Sequence, residues 1–186
     1  MILSPVLLFA FRFILYDKER NRMEYDMKET GYRREAAVEY AKKWAMGRNP
    51  RYLDFENFGG DCTNFASQCI YAGSGIMNYT PVMGWYYNSS TDRTPSWTGV
   101  QYLYNFLVNN KSVGPYAVET DQAGVSPGDL VQLGNASGFY HSPVIIAVTG
   151  ERIFVAAHSF DAYMRPLDSY LYVKYRFLHI QGVRSW

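Results

Sequence analysis

Cysteine and histidine are scarce in this chain, with two of the first and three of the second among 186 residues. That is too few for most structural zinc patterns, so no metal site is expected, and no cofactor either. The two cysteines, Cys62 and Cys69, lie on what reads as one helix. The rise over seven residues separates them by roughly 10 Å, whereas a disulfide needs Cα atoms within about 7 Å. Both thiols are therefore expected to be free. Net charge is only +1, and there is no long basic run. Binding to nucleic acid by phosphate neutralisation is not expected on that ground. Internal repeats and low-complexity tracts are absent as well.

Long hydrophobic runs are also missing. The most apolar stretch, residues 1–16, is interrupted by Arg12 and is too short to span a bilayer, so stable membrane insertion is not expected. Nothing charged precedes Ile2, so the stretch lacks the basic start of a secretory signal. It is expected to form a packed strand or helix, followed by a charged connector. Residues 1–28 thus make an N-terminal segment, and residues 29–186 a single domain.

What the chain has in quantity is aromatic surface, 17% of residues, including 17 tyrosines. Such rings fill cores and also line grooves where one end stays wet. The first helix is expected over 32–44, where Ala37, Tyr40, Ala41 and Trp44 recur at spacings of three and four. A second helix is expected over 62–72, capped by Asp61, with Phe65, Ala66, Cys69 and Ile70 on its buried side. Residues 73–95 have no period, and so long a loop in a compact domain is usually functional. A third helix is expected over 97–109, opened by Ser96. The character then turns to β, with strands expected over 129–133, 141–149, 152–158 and 172–180. Helices first and strands later point to α+β, a helical lobe on one side of an antiparallel sheet.

The chemistry centres on Cys62, which follows Gly59-Gly60-Asp61 at the expected start of the second helix. A helix N-terminus is one of the few backbone features that favour the reactive thiolate. A nucleophilic thiol also needs a base within reach. His141 begins one expected strand and His158 ends the next, so an antiparallel hairpin brings the two rings to one edge of the sheet. The competing role for Cys62 is that of a small buried residue, which is common for free cysteine. His179 reads as a structural histidine and Asp129 as a turn residue. Trp85, Tyr86, Tyr87 and Trp97 are candidates for a substrate groove, against the alternative that they close the core.

The run Gly60-Asp61-Cys62-Thr63-Asn64-Phe65-Ala66-Ser67-Gln68 resembles the signature of the bacterial putative amidase domain family, relatives of the NlpC/P60 and CHAP cell-wall hydrolases. The stretches around Tyr32 to Ala41, Pro127-Gly128-Asp129-Leu130-Val131, His141-Ser142-Pro143-Val144 and Ala157-His158-Ser159-Phe160-Asp161 resemble that family in consistent order. The resemblance implies a papain-like fold and a thiol hydrolase of amide bonds, a cysteine amidase or peptidase, working through a thioester. It implies Cys62 as nucleophile, His141 as base and His158 as the third residue that orients His141, with Asp161 a rival for that role. It also implies a peptide or peptidoglycan-derived substrate, and hence a place in the cell envelope or outside the cell. Where papain-type enzymes carry an oxyanion glutamine, six residues before the nucleophile, this chain has Glu56. Asn57 is the substitute donor expected there, beside the backbone N–H of Cys62. Glu56 and Pro143 are the features that favour a binding module without turnover, and a thiol acyltransferase shares the same acyl-enzyme step.

Overall fold

The computed structural model describes residues 27–186, and the strand or helix expected over 1–16 lies outside the described residues. The elements run β1 (Lys28–Thr30), α1 (Arg34–Trp44), α2 (Cys62–Ser74), α3 (Pro95–Thr98), α4 (Val100–Asn109), β2 (Gly114–Thr120), β3 (Leu130–Asn135), β4 (Gly138–His141), β5 (Val144–Thr149), β6 (Arg152–Ala157), β7 (Ala162–Pro166) and β8 (Lys174–Ser185). Among the described residues the fold is α+β, four helices against one eight-stranded sheet. All strand pairs are antiparallel. The path runs β1-β8-β3-β5-β6-β7, with β2 paired to β8 and β4 to β3.

The sheet is covered on both faces, which explains its run of apolar strands. Along β3, Leu130 and Gln132 turn toward the helices, while Val131 and Leu133 pack on the other side with Ile145, Val155, Leu167 and Phe177. On the helical side Leu130, Val144, Ala156, Leu178 and Ile180 meet α1 and α2 through Ala37, Ala41, Phe65, Cys69 and Ile70. Cys69 is fully buried, and both cysteines are free. Helix α2 carries no charged residue because it is the central helix, with both its apolar and most of its polar residues buried.

Those buried polar residues each have a partner, as burial requires. The Trp85 indole donates to Ser67 Oγ at 3.0 Å, and the Trp97 indole to Asn64 Oδ1 at 2.9 Å. The Tyr40 hydroxyl donates to Gln68 Oε1 at 2.7 Å. The long segment expected to be a functional loop is thus wrapped around α2, with Trp85 and Trp97 packed 4.8 Å apart in the core.

Several boundaries differ from the sequence expectation. The third helix is two, broken at Gly99, and Ser96 lies inside the first of them rather than capping it. Ser96 is instead buried and donates to the Gly84 carbonyl. The strand expected over 141–149 is interrupted, so that His141 closes β4 and β5 starts at Val144. Pro143 has no N–H to continue the ladder. Its carbonyl still accepts from Val131 N at 3.0 Å, so β4 and β5 both stay on the edge of β3.

Candidate active site

The approach to Cys62 begins with Gly59 and Gly60, whose φ angles of 105° and 103° suit glycine and few other residues. A side chain at Gly60 would also press on Ser159 Oγ, at 3.2 Å from its Cβ. Two consecutive glycines therefore let the chain turn into α2 directly under the β6–β7 hairpin.

Asp61 occupies the N-cap position, yet its carboxylate does not cap the helix, contrary to expectation. Oδ1 accepts from Phe55 N at 2.9 Å and from the Asn64 amide at 2.8 Å. Oδ2 faces His158 Nδ1 at 2.5 Å. A buried carboxylate takes the strongest donors in reach, and here these come from the loop, from the Asn64 side chain and from His158 just after β6, rather than from backbone amides of the first helical turn. The amides that open α2 are thereby spared a side-chain cap.

His158 is buried and both ring nitrogens are engaged. Nδ1 pairs with Asp61, and Nε2 with the Trp44 carbonyl at 2.9 Å. The Trp44 carbonyl can only accept, so Nε2 is the donor there. Its face stacks on Phe65 at 4.0 Å between centroids. No nitrogen is left to orient His141, so His158 ties α1, α2 and β6 together instead. Asp161 does not orient His141 either; its carboxylate receives Arg48 through two bonds, at 2.9 and 3.0 Å.

Cys62 and His141 do come together. Both border one cleft of about 650 Å³, with Glu56, Gly60, Tyr140, Ser159 and Arg165 among its other walls. The Cys62 sulfur lies 3.9 Å from the Tyr140 carbonyl and 3.8 Å from Thr63 Oγ1. Thr63 in turn donates to Ser142 Oγ at 3.3 Å, across the strand break. The interruption at Ser142-Pro143 is thus where β4 meets the start of α2. The His141 ring packs between Tyr140 and Tyr170, at 6.4 and 5.6 Å between centroids.

Burial sets the protonation of both groups. Cys62 is 6% exposed. Desolvation raises its thiol above the ordinary value, the Asp61 charge adds to the rise, and hydrogen bonding from Ser142 and Thr63 opposes it. The helix terminus expected to favour thiolate is outweighed. For His141, desolvation, followed by the nearby Arg165 charge, lowers the ring to about 4. At rest the cleft therefore holds a neutral thiol and a neutral imidazole. Alkylation of Cys62 by iodoacetamide should be slow at pH 6 and climb about tenfold per pH unit through pH 8, following the thiolate fraction. A thiolate–imidazolium pair would instead give fast labelling that is flat over this range, and that profile would overturn the neutral assignment.

The remaining expected positions fall elsewhere. Trp85 and Trp97 are core residues, and Tyr86 stacks on Tyr79 and bonds Asp92, so none of the three borders the cleft. For the two tryptophans, size made burial the stronger demand. Asn57 is exposed in the 3-10 turn Glu56–Phe58 and does not border the cleft. Glu56 does, and accepts from the Ser159 hydroxyl at 2.9 Å. Ser159 also accepts from Asp61 N at 2.8 Å, which helps hold its φ of 59°. The following residue, Phe160, at φ 75°, also borders the cleft and is 88% exposed. Leu171, 94% exposed, is another of the cleft residues.

Sequence reasoning missed Tyr140, Phe160, Arg165, Tyr170 and Leu171. Tyr140, next to His141, and Phe160, two residues after His158, were within reach of a local reading. Arg165, Tyr170 and Leu171 belong to β7 and the segment after it, which carry no hydrophobic alternation.

Comparison with known proteins bears on this geometry. The chain matches the model of the family described as "Putative amidase domain" over residues 31–181. This chain belongs to that family. The amidase-domain match takes in every cleft residue named above, and the family's description denotes hydrolysis of amide bonds in general. Two relatives come from Bacillus subtilis (strain 168). The uncharacterized protein YhbB is 35% identical over 161 residues, covering 80% of this chain and 50% of YhbB. The uncharacterized protein YjcM is 25% identical over 138 residues, covering 69% of this chain and 31% of YjcM. The chain thus spans half or less of the length of these relatives. No solved structure matches it.

Proposed function

We propose that this amidase-domain protein is a cysteine-dependent amide hydrolase of papain-like arrangement, acting on bacterial cell-wall peptide material in the cell envelope or outside the cell. The observation that carries the reading is the shared cleft of Cys62 and His141, one at the start of a helix and the other at the end of a strand.

In this reading His141 accepts the thiol proton as the sulfur attacks the substrate carbonyl carbon. The oxyanion that forms is met by the backbone N–H of Cys62 at the uncapped helix start. His141 then passes the proton to the amide nitrogen, the C–N bond breaks, and the amine leaves a thioester behind. Water, deprotonated by His141, attacks the thioester, and the thiol is regenerated as the acid departs. His141 is oriented by packing between Tyr140 and Tyr170, since His158 and Asp161 are held by other partners. Glu56 cannot donate to the oxyanion while ionised.

A binding module without turnover is the second reading, favoured by the raised thiol and by Glu56 at the oxyanion position. Incubation with soluble peptidoglycan fragments separates the two. Hydrolysis releases new primary amines in proportion to time and enzyme. Retention of fragments on immobilised protein without any amine release would sink the hydrolase reading.

A further inference from the structure

Arg165 sits on β7 and borders the same cleft as Cys62 and His141. Its guanidinium is held from two directions. Nε donates to Ser169 Oγ at 3.0 Å and Nη2 to the Ser169 carbonyl at 3.2 Å. Its plane also lies over the Tyr170 ring, 3.9 Å from the centroid. A side chain fixed in this way has already lost much of the rotamer freedom that ligand binding would otherwise remove.

The charge itself is unanswered. Arg34, Arg48 and Arg184 each have a carboxylate within 4 Å, whereas Arg165, like Arg33, Arg51, Arg93, Arg152 and Arg176, has none among the described residues; of these six it alone borders the cleft. The cleft's own acid, Glu56, is bonded to Ser159. Nη1 of Arg165 has no hydrogen-bond partner among the described residues. A local staple of the β7 turn would need only the two bonds to Ser169, and would not require that the guanidinium border the cleft.

We propose that Arg165 is a specificity-determining residue that anchors a carboxylate of the substrate, so that the cleft prefers amides of acidic peptides. The arginine fork matches a carboxylate in geometry as well as charge, and a confined cleft weakens screening by salt. The proposal deepens the hydrolase reading by naming a substrate class, and it rests on that reading only for the word substrate. A carboxylate seated at Arg165 also offsets the positive charge near His141, leaving the ring better able to hold the proton taken from Cys62.

The test reads binding, so that it stands apart from turnover. Cys62→Ala protein is titrated calorimetrically with acetyl-Ala-Glu as the free acid and with the same peptide as its diamide. The acid should bind about 10- to 100-fold tighter than the diamide. Adding Arg165→Gln should bring the two affinities together by weakening the acid alone, and Arg165→Lys should restore part of the preference. Thermal unfolding of each variant checks that the fold is kept. Equal binding of acid and diamide, binding of neither, or an equal loss for both on Arg165→Gln overturns the proposal. A clear acid preference in a protein whose parent releases no amine would instead fault the hydrolase reading and leave the carboxylate site standing.

Discussion

Cys62→Ala should leave a folded protein with no amidase activity and no labelling by a thiol-directed probe at the cleft. The expected loss in kcat is on the order of 10⁴-fold or more, because removing a nucleophile eliminates the covalent route and leaves only positioning. The fold should survive, since the sulfur faces the cleft and the Tyr140 carbonyl rather than a sealed core. Cys69 provides an internal control. It is fully buried, and burial holds its thiol well above the ordinary range, so it should not react with the probe in the native protein. Equal labelling of the parent and Cys62→Ala would mean that the reactive sulfur is elsewhere. Unchanged amine release would end the thiol mechanism altogether.

The largest effect on stability is expected at Asp129, which is fully buried. One carboxylate oxygen accepts from Arg34 Nη1 at 2.6 Å and Ile180 N at 2.9 Å. The other accepts from Ser126 N at 2.8 Å and faces His179 Nδ1 at 2.7 Å. This single group joins α1 to the turn before β3 and to β8. Asp129→Asn keeps the shape but removes the charge and aims an amide N–H at existing donors. Breaking a buried pair by neutralising one partner costs about 3–5 kcal/mol. For a chain of this length that lowers the midpoint of thermal unfolding by roughly 10 °C. Urea and thermal unfolding followed by circular dichroism will measure it, and a loss below about 1 kcal/mol would show that the cluster reorganises around the amide. The damage should appear as lost stability rather than as altered substrate preference, because Asp129 does not border the cleft.

Asp129 also shows how a local reading can be right and incomplete. A turn aspartate is a sequence-level expectation, and its bond to Ser126 N fulfils it. Its partners Arg34 and His179 lie 95 and 50 residues away, and no local pattern points to them. The aromatic residues teach the same lesson from the other side. Trp85 sits in a stretch with no period and Trp97 opens the expected third helix, and for both groove and core were open. Polar atoms on α2 decided for the core, because Ser67 and Asn64 gave each indole N–H a buried partner. The strand near His141 was legible as apolar β sequence, though it was expected to run unbroken over 141–149. That an interruption there would receive the start of α2 was not legible.

Read alone, the amino-acid order determined the α+β class, the helix that opens at Cys62 and the freedom of both thiols. These follow from short-range causes: glycine's access to left-handed backbone, the reach of a helical turn and the spacing of apolar side chains. Tertiary structure alone decided that His158 and Asp161 serve Asp61's neighbourhood and Arg48, that the thiol is too dry to ionise readily, and that Arg165 enters the cleft. Desolvation and the pairing of buried charges depend on which distant segments close over a group, and that is a property of the packed chain, not of any window along it.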